Sequence, residues 1–172
     1  NQAPFDFDVS VKDLYLSLAV GGTVQILEKK LFLAPRALIE RMEERRVNTI
    51  IWAASAMKLL SALRTFDKVV PAGLRRVMFS GEVLPAKVLN DWMDHLPNTR
   101  FFNLYGPTEI TCNCTWYPVT RRFANGEAIP IGRSFGNCRV FLLDGGREIT
   151  APGQPGELCV RGSCLALGYY SR

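Results

Sequence analysis

The most chemically loaded stretch of the chain is Asn103-Leu104-Tyr105-Gly106-Pro107-Thr108-Glu109. Tyr105 offers a flat face for a base. Asn103 both donates and accepts, as reading an adenine edge requires. Thr108 brings a hydroxyl suited to a phosphate oxygen, and Glu109 a hard carboxylate suited to magnesium. Gly106 lets a backbone come close to a ligand, and Pro107 stiffens the turn. A second run, Phe79-Ser80-Gly81-Glu82, also follows a strand signal. Ligands of open α/β sheets sit outside the carboxyl ends of strands, where both runs fall. The same residue types also build an ordinary strand-to-loop turn with a capping Thr and a solvated Glu.

Other chemistry is thin. His95 is the single histidine, and no Cys-x-x-Cys occurs among Cys112, Cys114, Cys138, Cys159 and Cys164. Zinc knuckles and Ser-His-Asp or Cys-His hydrolases are therefore disfavoured. The thiols read as reduced cytoplasmic cysteines, in the core or lining a pocket. The formal charge of +5 comes from scattered residues with short clusters at Arg45-Arg46, Arg75-Arg76 and Arg121-Arg122, without interleaved aromatics. That is a mildly basic solvated surface rather than a nucleic-acid stripe. An apolar content of 48% with 22% charged residues fits a globular chain with a sizeable core. No apolar run approaches a bilayer span, so no membrane partner is expected.

The elements that position these runs are legible in outline. Strand signals at Thr49–Trp52, Leu74–Phe79 and Arg100–Tyr105 alternate with helical signals. Pro35 opens a helix with Leu38, Ile39 and Met42 on its core side. Ser55–Leu63 is helical. Pro85 starts a helix with Val88, Leu89, Trp92, Met93 and Leu96 on one face. Ser10-x-x-Asp13 resembles a capping box, followed by Val11, Leu14, Tyr15 and Leu18 at one-face spacing. Gly21-Gly22 ends that helix, and Thr23–Leu27 reads as a strand. Residues 119–137 read as a long polar loop. Arg139–Leu143 and Glu157–Arg161 are strands, with turns at Asp144-Gly145-Gly146 and Ala151–Gly156. The expected fold is α/β: a mainly parallel sheet flanked by helices over residues 1–117, then a loop and β-rich segment over 118–172.

With these residues in hand, the Asn103–Glu109 run resembles the core motif of the adenylate-forming enzymes, in their amino-acid-activating branch. Phe7-Asp8-Val9-Ser10 resembles the upstream motif of that branch. Gly156-Glu157-Leu158-Cys159-Val160-Arg161-Gly162, ending in Gly168-Tyr169, resembles the next downstream motif, although Leu167 stands where many members have Arg. Ile129-Pro130-Ile131-Gly132 fits the connecting stretch. Phe7–Tyr15 and Gly81–Pro85 look like D-alanine–carrier protein ligases and also fit adenylation domains of nonribosomal peptide synthetases.

The resemblance implies part of the large N-terminal core of such an enzyme, which uses ATP and Mg2+ to activate an amino acid. The aminoacyl group then passes to the phosphopantetheine thiol of a carrier protein. It places Asp8 on the substrate ammonium, although a helix N-terminal charge is the plain alternative. Tyr105 corresponds to the residue stacked on adenine, Asn103 and Gly81 to adenine-edge contacts beside Gly106, Thr108 to the α-phosphate contact and Glu109 to the magnesium ligand. The implied side-chain pocket is Val9, Lys12, Ile51, Met78, Ser80, Leu104, Cys112 and Asn113. Lys12 either meets an acidic substrate group or turns outward as a surface residue, and outward is the expectation, because the apolar spacing of its helix does not include it. The family's Lys-containing phosphate loop, ribose-binding Asp and mobile-domain Lys do not occur in this sequence, so it reads as an internal fragment, inactive alone. The competing readings are an acyl- or aryl-CoA ligase fragment and a noncatalytic nucleotide-binding or interaction module.

Overall fold

The computed structural model describes residues 1–171. Where the apolar period is strong, sequence and fold agree. Helix α2, Pro35–Glu44, has proline in its first turn and buries Leu38, Ile39 and Met42. Helix α3, Ala54–Ala62, buries Ala54, Ala56, Met57 and Leu60. Helix α4, Ala86–His95, buries Ala86, Leu89 and Trp92. Trp92 sits edge-on to Phe66 at 4.8 Å between ring centroids and to Trp52 at 6.3 Å, and its indole N–H donates to Met57 O at 3.3 Å. Such pairs add to the area they bury, and the buried indole N–H is satisfied.

These helices share one core with strands β1 (Thr49–Ala53), β2 (Arg76–Ser80) and β3 (Arg100–Tyr105). The three pair in parallel, with Ile51 opposite Met78 and Met78 opposite Phe102. Strand β4 (Thr115–Val119) returns antiparallel to β3, and β5 (Arg133–Ser134) returns antiparallel to β4. The order is β1-β2-β3-β4-β5, with β4 alone reversed. A second, antiparallel sheet has the order β7-β6-β8, from β6 (Cys138–Asp144), β7 (Arg147–Ile149) and β8 (Glu157–Gly162). Gly145 and Gly146, both at positive φ, form the tight β6–β7 turn that a twisted hairpin favours.

Four expectations need correction. The division at residues 117 and 118 falls inside β4, and the first sheet continues to Ser134. The polar stretch 119–137 is not a free loop. Asn90 Nδ2 donates to Phe123 O at 2.8 Å, the Phe123 N–H donates to Asn90 Oδ1 at 3.2 Å, and the Phe123 ring is buried against Tyr117. Residues 23–27 form no strand, because β1 is the sheet edge and nothing pairs with them. Finally, helix α1 (Ser10–Ala19) has no side-chain cap: Ser10 Oγ donates to Phe7 O at 2.8 Å, and Asp13 accepts from Asn1 Nδ2 at 2.5 Å. Its apolar face does not enter the core, and Leu18 is 72% exposed. A groove of about 670 Å3 instead separates α1 and residues 22–27 from the sheet face carrying Ile51 and Met78.

Candidate active site

Strand alternation sorts the expected site residues before any contact is considered, since successive side chains point to opposite faces. Ile51, Met78 and Ser80 share one face, and the β2–β3 register adds Phe102 and Leu104 to it. Asn103 and Tyr105 project from the other face, the one that carries Phe79 and Phe101 into the helix-covered core. The expected amino-acid pocket and the expected adenine platform therefore lie on opposite sides of the same strand ends.

On the first side, a cavity of about 170 Å3 is lined by Phe7, Val9, Lys12, Ile51, Ser80 and Gly81 among others. Ser80 and Leu104 are buried. Lys12 does not turn outward. Its ammonium donates to Asn113 Oδ1 at 2.6 Å and lies 3.5 Å from Ser80 Oγ. The apolar spacing misassigned this helix because its apolar residues are the exposed ones, and α1 turns its Ser10–Asp13 edge toward the sheet. Among the described residues no carboxylate lies within ion-pair distance of Lys12. Cys112 is buried beside this group, its thiol 3.5 Å from Asn113 Oδ1. Burial pushes the Cys112 thiol up, Lys12 offsets part of that, and Asp8 adds to it. Asp8 stands in the chain between Phe7 and Val9, both of which line the cavity.

The loop from Gly106 to Cys114 carries the remaining residues. Pro107 leads into a single 3-10 turn, Thr108–Ile110. Thr111 and Cys112 follow at φ 58° and 85°, a left-handed pair of non-glycine residues that is costly for a β-branched Thr. Thr111 Oγ1 donates to Cys164 O at 2.9 Å, and the Cys114 N–H closes the loop on Tyr105 O at 2.8 Å. Gly106 is required by this return: a Cβ there would lie 2.5 Å from Asn113 Cα and 2.8 Å from both Cys112 O and Cys114 N. Its smallness serves the protein's own backbone, a role the sequence reading gave to a ligand.

Thr108 and Glu109 are exposed at the loop tip, and Tyr105 shows 37% of its surface beside them. Asn103 Nδ2 donates to Pro130 O at 3.0 Å, so half of its polar group is committed to the 119–137 stretch. Glu109 accepts from the Tyr169 phenol at 2.8 Å on Oε1. Its own backbone N–H and that phenol hold the Glu109 carboxyl below the usual range. No spacing rule could have joined Tyr169 to Glu109, which are 60 residues apart. A lone ionised carboxylate beside a hydroxyl fits magnesium, which takes few protein ligands and completes its shell with phosphate oxygens and water. Among the described residues no cluster of three or more His, Cys, Asp or Glu side chains could hold a metal independently.

Comparison with known proteins bears on the family and the fold. D-alanine–D-alanyl carrier protein ligases from Bacillus cytotoxicus and Bacillus velezensis are 31% and 32% identical over 170 residues. The match covers 98% of this chain and 34% of each relative, so the chain spans about a third of their length. A solved structure of PA1221, described as an NRPS protein containing adenylation and PCP domains, superposes with a TM-score of 0.81 at 27% identity, covering 98% of this chain and 33% of that one. The crystal structure of CmiS6 gives a TM-score of 0.87 at 26% identity, covering 99% of this chain and 41% of that one. Residues 1–170 match the family described as AMP-binding enzyme, and the chain belongs to that family.

Proposed function

We propose that this chain is part of an ATP-dependent, AMP-forming ligase that activates an amino acid as its aminoacyl-adenylate. The ligase then loads the aminoacyl group onto the phosphopantetheine thiol of a carrier protein. The observation that carries the reading is the opposed arrangement at the ends of β2 and β3. A small, mainly apolar cavity, with Asp8 between its lining residues Phe7 and Val9, lies on one face, and the Asn103–Tyr105 platform lies on the other, followed in the chain by Thr108 and Glu109. A carboxylate and an α-phosphate brought together there would meet across a single strand end, which is what positioning catalysis needs.

In this reading Asp8 holds the substrate ammonium as a charge-assisted pair, and Tyr105 stacks on adenine while Gly81 and Asn103 meet its edge. Asn103 still has its carbonyl oxygen for that contact, because the bond to Pro130 uses only Nδ2. Thr108 contacts the α-phosphate. Mg2+, held by Glu109, supplies charge neutralisation on the phosphates. Val9, Ile51, Met78, Ser80, Leu104, Cys112 and Asn113 line the side-chain pocket around Lys12. A half-buried cation whose hydrogen bonds go to neutral acceptors suits a substrate side chain bearing a carboxylate or another strong acceptor. Activity requires more of the enzyme than this segment, and a cytoplasmic location goes with a carrier-protein partner. No helix among the described residues is long and apolar enough to cross a membrane.

The test is amino-acid-dependent pyrophosphate exchange by the protein at its full natural length. Exchange that Asp8→Ala abolishes supports the reading. Activation of acids that lack an ammonium group, untouched by Asp8→Ala, would sink it in favour of an acyl-CoA ligase.

A further inference from the structure

Residues 164–169 are laced onto the loop after β3. Thr111 Oγ1 donates to Cys164 O at 2.9 Å, the Ala166 N–H to Glu109 O at 2.8 Å, and the Tyr169 phenol to Glu109 Oε1 at 2.8 Å. The first two bonds hold main chain. The third differs in kind, because it engages the only carboxylate of the Gly106–Cys114 loop. Tyr169 is 57% exposed, so apolar burial is a weak reason for its placement. A carboxylate is already ionised at neutral pH, so the bond adds direction rather than charge.

We propose that Tyr169 is a positioning residue for Glu109. Its phenol pins one carboxylate oxygen and leaves the remaining acceptor sites, out of about four on a carboxylate, for the divalent cation that accompanies the nucleotide. The proposal rests on the function proposed above. It gives the Gly168-Tyr169 end of the downstream motif a task at the loop tip. Partners of this kind orient metal ligands, and losing one typically costs about 10–100-fold in metal affinity.

Tyr169→Phe keeps the ring and removes only the hydroxyl. In the protein at full natural length, ATP binding is measured by calorimetry across a Mg2+ series and again in excess chelator. The Mg2+ concentration for half-maximal tightening is expected to rise about tenfold, while metal-free binding stays within about twofold. An unchanged Mg2+ dependence overturns the proposal. So does an equal loss under both conditions, which marks a tail clamp rather than a positioning role. A wild-type protein with no Mg2+-dependent nucleotide binding overturns both the parent function and the cation role, whereas normal wild-type binding with an unaffected Tyr169→Phe removes the positioning role alone.

Discussion

Gly106→Ala isolates the steric logic of the candidate loop. The added methyl would sit 2.5 Å from Asn113 Cα and 2.8 Å from Cys112 O and Cys114 N, and all three are backbone atoms that cannot rotate aside. Gly106 is not at positive φ, so alanine meets no torsional penalty there and the cost is purely spatial. Overpacking of this kind costs about 1–3 kcal/mol. Moving the loop also threatens the Cys114 N–H bond to Tyr105 O at 2.8 Å, whose net contribution is about 1 kcal/mol. Replacing glycine returns about 0.4–1 kcal/mol by stiffening the unfolded chain. The balance is a loss of about 2–3 kcal/mol, against the roughly 5–15 kcal/mol that holds a domain together. With a urea slope of about 2 kcal/mol/M, the unfolding midpoint should fall by about 1 M. Gly136→Ala is the control, because its Cβ meets nothing within 4 Å and its φ is not positive; its midpoint should hold or rise slightly. Equal midpoints for the two variants would refute the claim that Gly106 is demanded by the return of residues 112–114.

Other outcomes follow from single contacts. Lys12→Met should move amino-acid preference in pyrophosphate exchange away from acidic side chains toward apolar ones of similar length, and an unchanged preference would remove Lys12 from the pocket. Trp92→Ala should destabilise the fold by about 3–5 kcal/mol in denaturant unfolding, since it empties the contact among Phe66, Trp52 and Met57. Burial pushes the Cys114 thiol up to about 11, with Cys138 and Cys164 nearby adding to it. The unfolded chain therefore loses this proton near pH 9 while the folded chain keeps it, so stability should decline as pH rises from about 9 toward 11. Cys114→Ala should flatten that decline, and an identical pH profile in the variant would contradict it.

Much of the positioning frame could be read from the chain. In α2 and α4 the buried residues recur at helical spacing behind proline starts, and Arg100–Tyr105 became β3 residue for residue. Failures clustered where tertiary partners decide. Helix α1 has a regular apolar face that is left exposed, so periodicity identified a helix but not the side it buries. Residues 23–27 have strand composition but no neighbouring strand. Two-residue β5 and the Asn90–Phe123 clasp are long-range events inside a polar stretch. At the candidate site, residue types singled out segments one by one, but the Lys12–Asn113 bond spans 101 positions and the Tyr169–Glu109 bond 60. Such separations leave no local trace.

The alternation of β2 and β3 also bears on how such a site can diversify. Ile51, Met78, Ser80 and Leu104 point one way from the strands, and Asn103 and Tyr105 the other. On the proposed reading, mutations that retune the choice of amino acid accumulate on one side, while the surface that meets the shared co-substrate stays untouched on the reverse. A one-residue slip of β3 would undo that independence, by turning Asn103 and Tyr105 to the face of Met78 and Ser80 and Leu104 away from it.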